Sequence, residues 1–438
     1  MAEANERRLP LQGVRILAQA IVWAGPFGSM ILSDLGADVI EVESIQHLNP
    51  TRAGMRHLPP AILEGPTGSL YLNRDGSEGF WNRQAFYNFA KRGHRSVTID
   101  LRSEDGRELF LGLIREADVF MENNAANVVE HLGIDYEQLS AVNPRLIMMR
   151  FPGFGIDGPY KHFKGYGATM EAVVGHSLLR GYADSDPSGT PAVYHGDPNA
   201  GAHAAFAIQA ALYARERTGK GQLIDLSQAE AVTHHISYDL IDYLFNGRAN
   251  QHWGNRHPAM APYGVFPAAG EDTFVAIAVD SDAAFAALCR EMGQPELASD
   301  ARFADLVSRY EHQGELEPIV AAWTKQHGQR ELMERLQAAG VMATMVYNQP
   351  EMFDDPHLKE RGFFVELDHP DVGPKPYPGP MAQFERMPLT PLRGPAPRLG
   401  QHNREVFQGI LGVSDERLAE LEAAEVIGDA YLESAKAT

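Results

Sequence analysis

Val14 to Gln19 is an apolar run of single-strand length, and AGPFGSMILSDLG behind it reads as a helix with Pro26 at its first position and Gly36 as its stop. ADVIEVES then reads as a second strand, so strand, helix and strand fit within about 30 residues, the span of a parallel crossover unit. The unit recurs. Ser96 to Leu101 is expected as a strand, Glu104 to Ala117 as a helix, Asp118 to Glu122 as a strand, Tyr136 to Val142 as a helix and Leu146 to Phe151 as a strand. This alternation predicts an α/β fold with a Rossmann-like, doubly wound parallel sheet and helices on both faces.

A polar insert with Gly and Pro, roughly residues 47 to 85, is too long for an ordinary loop and is expected to cap a site or an interface. The Ala-rich stretch GAHAAFAIQAALYARERTGKGQ predicts a helix starting after Asn199 and Gly201 and ending at Thr218-Gly219. QLIDLS follows as a strand and Ala229 to Asn246 as one more helix. After about residue 250 the pattern changes: YGVFPA and DTFVAIAV around AGED predict an antiparallel hairpin, followed by helices at Ala283 to Met292, Leu316 to His327 and Gln329 to Ala339. The expected division is a large domain over residues 1–225, a linker helix over 226–250 and a small α+β domain over 251–370. Residues 371–438 would return to complete the large domain, with Pro374 to Pro397 extended and Glu416 to Ala424 as a terminal helix.

Charge and cysteine usage narrow the function. The 438 residues carry 38 Lys plus Arg against 58 Asp plus Glu, a formal charge of −20 with no basic run, which excludes a general nucleic-acid binder. The single cysteine, Cys289, excludes a disulfide framework or thiolate cluster, reads as core, and fits a reducing, cytoplasmic location. No stretch approaches the ~18 apolar residues of a membrane span, and MAEANERRLPLQG has no apolar h-region, so neither insertion nor export is expected. The 17 histidines form no H-E-x-x-H pattern, and His234 and His235 point apart on a helix, so no metal site is expected. The first strand is followed by A-x-x-W-A-G-P in place of G-x-G-x-x-G, and no G-x-x-x-x-G-K-[ST] occurs, which speaks against NAD and ATP.

The segment YHGDPNAGAHAAFAIQAAL carries the most chemistry. Asp197 stands at a helix entry among Gly196, Asn199 and Gly201, where the positive helix end favours an ionised carboxylate. Such a carboxylate is a nucleophile, its small neighbours admit a thioester carbonyl, and nearby N–H groups would stabilise an oxyanion. Spacing alone favours an ordinary helix-entry Asp. GDPNAG, the Ala-rich helix and ARERTGKGQLIDLSQAEA together resemble the signature of the class III CoA-transferases, the family of formyl-CoA transferase and carnitine CoA-transferase. The opening LPLQGVRILAQAIVWAGPFGSMILSDLGADVIEVES is similar to that family's start, as are NFAKRGHRSVTIDL, ADVFMENN and LSAVNPRLIMMRFPGFGIDGPY. The likeness is good over about residues 10 to 245 and looser beyond.

The resemblance implies a CoA-transferase that uses acyl-CoA and a carboxylic acid as substrates, holds no permanent cofactor, and forms an interlocked homodimer. Asp197 matches the family's catalytic aspartate, which carries acyl anhydride and aspartyl-CoA thioester intermediates, and Glu171 matches a Glu that orients the catalytic turn. A solvated helix charge is the other reading of Glu171. Ala24, Gly25 and Pro26 match a turn that contacts CoA; Ile99, Asp100 and Arg102 match the strand end at its nucleotide portion, and Asn123 an adjoining loop. Trp23, Gly196 and His195 fall on the substrate side, although His195 also reads as a half-exposed neighbour.

Some positions depart from the family pattern. Trp23 stands where formyl-CoA transferase has Gln, which argues for a more apolar substrate pocket and against oxalate. Ser44 and His131 replace two basic residues, leaving Arg102, Lys91 or Arg92 as compensating cations. The Gly-rich lid has no counterpart, and His252, Arg256 and His257 are candidate holders of a second carboxylate. Two alternatives stay open: an α-methylacyl-CoA racemase, whose usual second acid/base His is missing at Gly165-Tyr166-Gly167, and a non-catalytic CoA-binding protein.

Overall fold

A computed structural model of the chain describes residues 9–182, 184–189, 193–249, 252–385 and 393–437. The first eight residues, the 250–251 boundary and residues 386–392 of the expected extended return lie outside the described residues. The chain divides into two compact units: Met1–His176 with Ala192–Asp242 and Glu360–Thr438, and Ser177–Pro191 with Tyr243–Lys359.

Up to residue 242 the strands of the first unit are β1 (Arg15–Gln19), β2 (Asp38–Glu43), β3 (His47–Leu48), β4 (Arg95–Thr98), β5 (Val119–Glu122), β6 (Ile147–Arg150) and β7 (Gln222–Asp225). All but β3 form one parallel sheet in the order β4-β2-β1-β5-β6-β7. Side chains alternate between faces along a strand, and here both faces are covered. Leu17, Ile40, Phe120 and Met148 enter one core with Phe110 and Leu113 of the Glu104–Arg115 helix. Ile16, Val39, Val119 and Ile147 enter the other with Ala204 and Ile208 of the Gly196–Thr218 helix. Burial on two sides explains why these strands read as continuous apolar runs, each large side chain contributing about 1.5–3 kcal/mol. At their C-terminal ends the runs give way to Gln19, Glu43, Thr98 and Glu122, which gathers polar chemistry at one rim of the sheet.

The second unit contains β8 (Tyr263–Pro267), β9 (Phe274–Ala278) and β10 (Met342–Met345), an antiparallel sheet in the order β10-β9-β8. Phe285, Leu288 and Cys289 of the Asp282–Glu291 helix share a core with Val275 and Ile277 of that sheet.

Several elements differ from the sequence expectation. Pro26 is the third residue of the Ala24–Asp34 helix, still in the first turn, where a missing N–H leaves no bond unmade. The Ala-rich helix starts at Gly196, because Pro198 is equally tolerated in a first turn. The expected Ala229 to Asn246 helix is broken into Gln228–Thr233, a tighter His234–Ile236 turn and Ser237–Asn246. Thr233 Oγ1 donates back to Ala229 O at 3.1 Å beside this break, a bond that bends helices. Part of the Pro-rich return forms a hairpin, β11 (Phe364–His369) with β12 (Gly373–Pro378). The Asp415–Ala423 helix is preceded by Asn403–Leu411 and followed by β13 (Lys436–Ala437), which pairs with β3.

Candidate active site

The Ala24–Asp34 and Gly196–Thr218 helices touch backbone to backbone through Gly28 and Gly201. A Cβ on Gly201 would stand 2.6 Å from Ala24 O and 2.9 Å from Gly28 N, so any side chain there forces the helices apart. This crossing brings the Ala24 N–H to the carboxylate of Asp197, the second residue of its helix and only 7% exposed. A third helix start, Gly167 of Gly167–Val173, packs directly on the carboxylate: a Cβ there would lie 2.3 Å from Asp197 Oδ2. The turns leading into the Ala24–Asp34 and Gly196–Thr218 helices hold non-glycine residues in the left-handed region, Val22 at φ 61° and Tyr194 at φ 57°. For β-branched Val22 this is strain on the order of 1–3 kcal/mol, of the kind concentrated at functional sites.

Burial raises the Asp197 carboxyl to about 6; the Ala24 N–H draws it down and the like charge of Glu171 pushes it up. The helix-end attraction that the sequence reading counted towards the ionised form is thus opposed by removal from water. Glu171 is fully buried, which excludes a solvated helix charge. Its Oε1 accepts the Gly196 N–H at 3.3 Å, joining it to the turn that carries Asp197, and its Oε2 lies 3.9 Å from His176 Nδ1. His195 is exposed, its ring 6.1 Å from that of His176. Trp23 caps the Ala24–Asp34 helix and meets Phe86 edge to face at 5.4 Å. Ala24, Gly25 and Pro26 are buried at the helix start. Asn123 clasps the turn before them, its Oδ1 accepting the Ile21 N–H and its Nδ2 donating to Ile21 O, both at 2.9 Å. Gly25 makes room for this clasp, since a Cβ would sit 2.4 Å from Asn123 Oδ1.

A cavity of about 310 Å³ opens at the C-terminal ends of β1, β2, β4 and β5. In a doubly wound sheet this is the ligand crevice, at the point where strand order reverses. Its wall at Gln19–Ile21 leads through Val22 and Trp23 to Ala24, so the cavity and Asp197 share one turn. Ile99, Asp100 and Arg102 line it, as do Ser44 and His131. Asn124 lines it where its neighbour Asn123 was expected. Lys91 and Arg92 are not the compensating cations: Lys91 is buried on Glu41 at 2.6 Å and Arg92 on Asp34 at 2.6 Å.

The second unit does not bear out the expected carboxylate holder. Arg256 is already engaged bidentately by Glu317 at 2.7 Å on both nitrogens, and the His257 ring leans on Tyr263. Cys289 lies in the core, its thiol pushed up to about 11 by burial, so it is no nucleophile. Among the described residues no group of His, Cys, Asp and Glu is placed to hold a metal ion, and no helix is long and apolar enough to cross a membrane. Sequence reading missed Gly28, Gly167 and Gly201 as contact points. The repeated small residues of GYGATME and GDPNAG were the available signal, but which backbone each glycine admits depends on the helix crossing.

The profile of CoA-transferase family III matches residues 11–403. Succinyl-CoA–D-citramalate CoA-transferase of Chloroflexus aurantiacus is 35% identical, covering 95% of this chain and 98% of that protein. Succinate–glutarate CoA-transferase of Agrobacterium fabrum is 33% identical over 93% of this chain and 97% of its own length. The crystal structure of a CAIB/BAIF family protein from Brucella suis superposes with a TM-score of 0.80 at 32% identity, over 92% of this chain and all of that one. With its parallel six-stranded α/β sheet and a match along nearly its whole length, this chain belongs to CoA-transferase family III and is a CoA-transferase.

Proposed function

We propose that the chain moves CoA from an acyl-CoA thioester to a carboxylic acid by covalent catalysis at Asp197, with succinyl-CoA as donor and a small dicarboxylate as acceptor. The observation that carries this reading is a buried carboxylate that no cation among the described residues neutralises, set where helix starts converge. Asp197 attacks the donor thioester carbonyl; the C–S bond breaks, leaving an aspartyl-acyl anhydride and CoA thiolate. The thiolate attacks the aspartyl carbonyl carbon, the bond from that carbon to the bridging oxygen breaks, and the donor leaves with that oxygen as its carboxylate. The acceptor carboxylate then attacks the aspartyl-CoA thioester, forming a second anhydride and freeing the thiolate again. Attack of that thiolate on the acceptor's acyl carbon yields the new acyl-CoA and restores Asp197.

Each attack places negative charge on a carbonyl oxygen, and the N–H groups at the starts of the Ala24–Asp34 and Gly196–Thr218 helices are the donors for it. Glu171 positions the turn through the Gly196 N–H. Burial of Asp197 keeps water from the anhydride and the thioester, which both hydrolyse readily. The absence of a His at Gly165-Tyr166-Gly167 supports transfer over racemisation, and Gly167 seats against Asp197 with no room for a side chain of its own. The dicarboxylate reading rests on the substrates named for the Chloroflexus and Agrobacterium relatives. Exposed apolar side chains, including Phe206 and Tyr213 on one helix and Leu244 and Phe245 on another, support a homodimer.

The test is mass spectrometry of the enzyme incubated with succinyl-CoA, followed by peptide mapping. An adduct on the peptide holding Asp197, discharged by glutarate, is the expected result. An Asp197→Ala protein with full transfer activity would end this mechanism, and deuterium wash-in at an α-carbon without acceptor would turn the assignment to racemisation.

A further inference from the structure

β13 pairs with β3 in parallel register, with Lys436 opposite His47. Register partners of parallel strands carry their side chains on the same face, and His47 lines the cavity at the strand ends. Lys436 therefore stands at the rim of that cavity. Arg102, two residues past Asp100 at the end of β4, lines the cavity too. Both cations act on His47: burial first, then Arg102 and Lys436, hold its imidazole below the usual range, with Asp100 opposing.

Two of the nearby acids are paired with cations, and Asp100, which keeps its charge, faces two cations in Arg102 and Lys436. Glu41 is held by Lys91 at 2.6 Å, Glu43 by Arg52 at 2.7 Å, and Asp100 Oδ1 accepts the Arg102 backbone N–H at 3.1 Å. Arg102 and Lys436 are exposed. In a chain of net charge −20, a bound anion must be held by such a local group of cations against the overall field.

The tail that delivers Lys436 is stitched in place. The Asp100 N–H donates to Val426 O at 2.9 Å, and Thr98 Oγ1 both donates to Gly428 O at 2.6 Å and accepts the Gly428 N–H at 2.8 Å. The Leu432 N–H reaches Ile45 O at 3.1 Å and the Lys436 N–H reaches Gln46 O at 3.0 Å. This segment lies beyond residue 403, where the family match ends.

We propose that the C-terminal strand completes the nucleotide end of the CoA site, with Lys436, His47 and Arg102 anchoring CoA phosphate groups. This rests on the reading of the cavity as the CoA crevice. The tail takes over the role of the basic residues absent at Ser44 and His131.

The experiment measures calorimetric binding of CoA, 3′-dephospho-CoA and pantetheine to the full chain and to Lys436→Ala and Lys436→Arg. Lys436→Ala is expected to weaken CoA about five- to tenfold, to leave pantetheine unchanged, and to be rescued by Lys436→Arg. Loss of the effect with 3′-dephospho-CoA assigns the anchor to the 3′-phosphate, and its persistence assigns it to the diphosphate; either supports the proposal. Unchanged CoA binding in Lys436→Ala, or equal weakening of pantetheine, overturns it while leaving the Asp197 chemistry standing. A wild-type chain that binds no CoA overturns the crevice reading itself.

Discussion

Asp197 and Glu43 are each 7% exposed, yet they titrate in opposite directions. Burial pushes both up. At Glu43 it is outweighed by the Arg52 guanidinium, which donates at 2.7 and 2.8 Å, and by hydrogen bonds from Ser96 and Asn49, so the carboxyl is held below its usual range. At Asp197 the opposing force is one N–H, and Glu171 adds a like charge, so the carboxyl rises to about 6. At the same residue exposure the two carboxyls thus shift in opposite directions, and the difference lies in the partners. An acid locked by a guanidinium is stable and inert. One left with a single donor among the described residues has lone pairs to offer, and in the proposed mechanism these meet the substrate carbonyl.

The comparison breaks most severely if Asp197→Ala is active. Removing the carboxylate is expected to lower kcat by about 10⁴-fold or more, with CoA affinity retained in calorimetry, since no other group takes over the covalent step. Next in size, Arg52→Ala is expected to destabilise the chain by about 3–5 kcal/mol in urea unfolding, because it leaves Glu43 buried and uncompensated.

Asp197→Asn should have the opposite sign. The folded pKa of Asp197, about 6, lies above the ordinary 3.8, so ionisation opposes folding. The penalty is absent below pH ~4, grows as pH rises towards 6, and is complete above it. At pH 8 the Asn variant should be more stable than wild type by up to about 3 kcal/mol, a gain that vanishes at pH 4. Equal stability of the two proteins at both pH values would remove the difference between the two acids. The smallest effect is kinetic: kcat/KM should fall as pH drops through about 6, where Asp197, the proposed nucleophile, becomes protonated. Glu171→Gln should move that limb to lower pH by removing the like charge, and a limb that stays in place would deny their coupling.

The apolar runs of β1, β2, β5 and β6 and the helices between them were legible because a strand covered on both faces leaves little choice of residue. Asp197 and Glu171 were legible as motif positions. Their environment was not. Lys91 and Arg92 read as cations for a phosphate, yet packing turned each inward onto a carboxylate. Arg256 read as a free guanidinium until Glu317, 61 residues on, closed over it. The Asn403–Leu411 helix and β13 were overlooked because short amphipathic segments carry weak local patterns.

By itself the sequence determined the alternation of strands and helices, the family, and which carboxylate stands at the head of the Ala-rich helix. Those properties are set by neighbours along the chain, through side-chain period, helix capping and small-residue turns. Tertiary structure alone decided that Gly28 meets Gly201, that Gly167 seats against Asp197, that Glu43 is neutralised while Asp197 is not, and that Lys436 lies beside His47. Each is a contact between segments far apart in the chain, and the charge state of a buried group depends on what surrounds it in space.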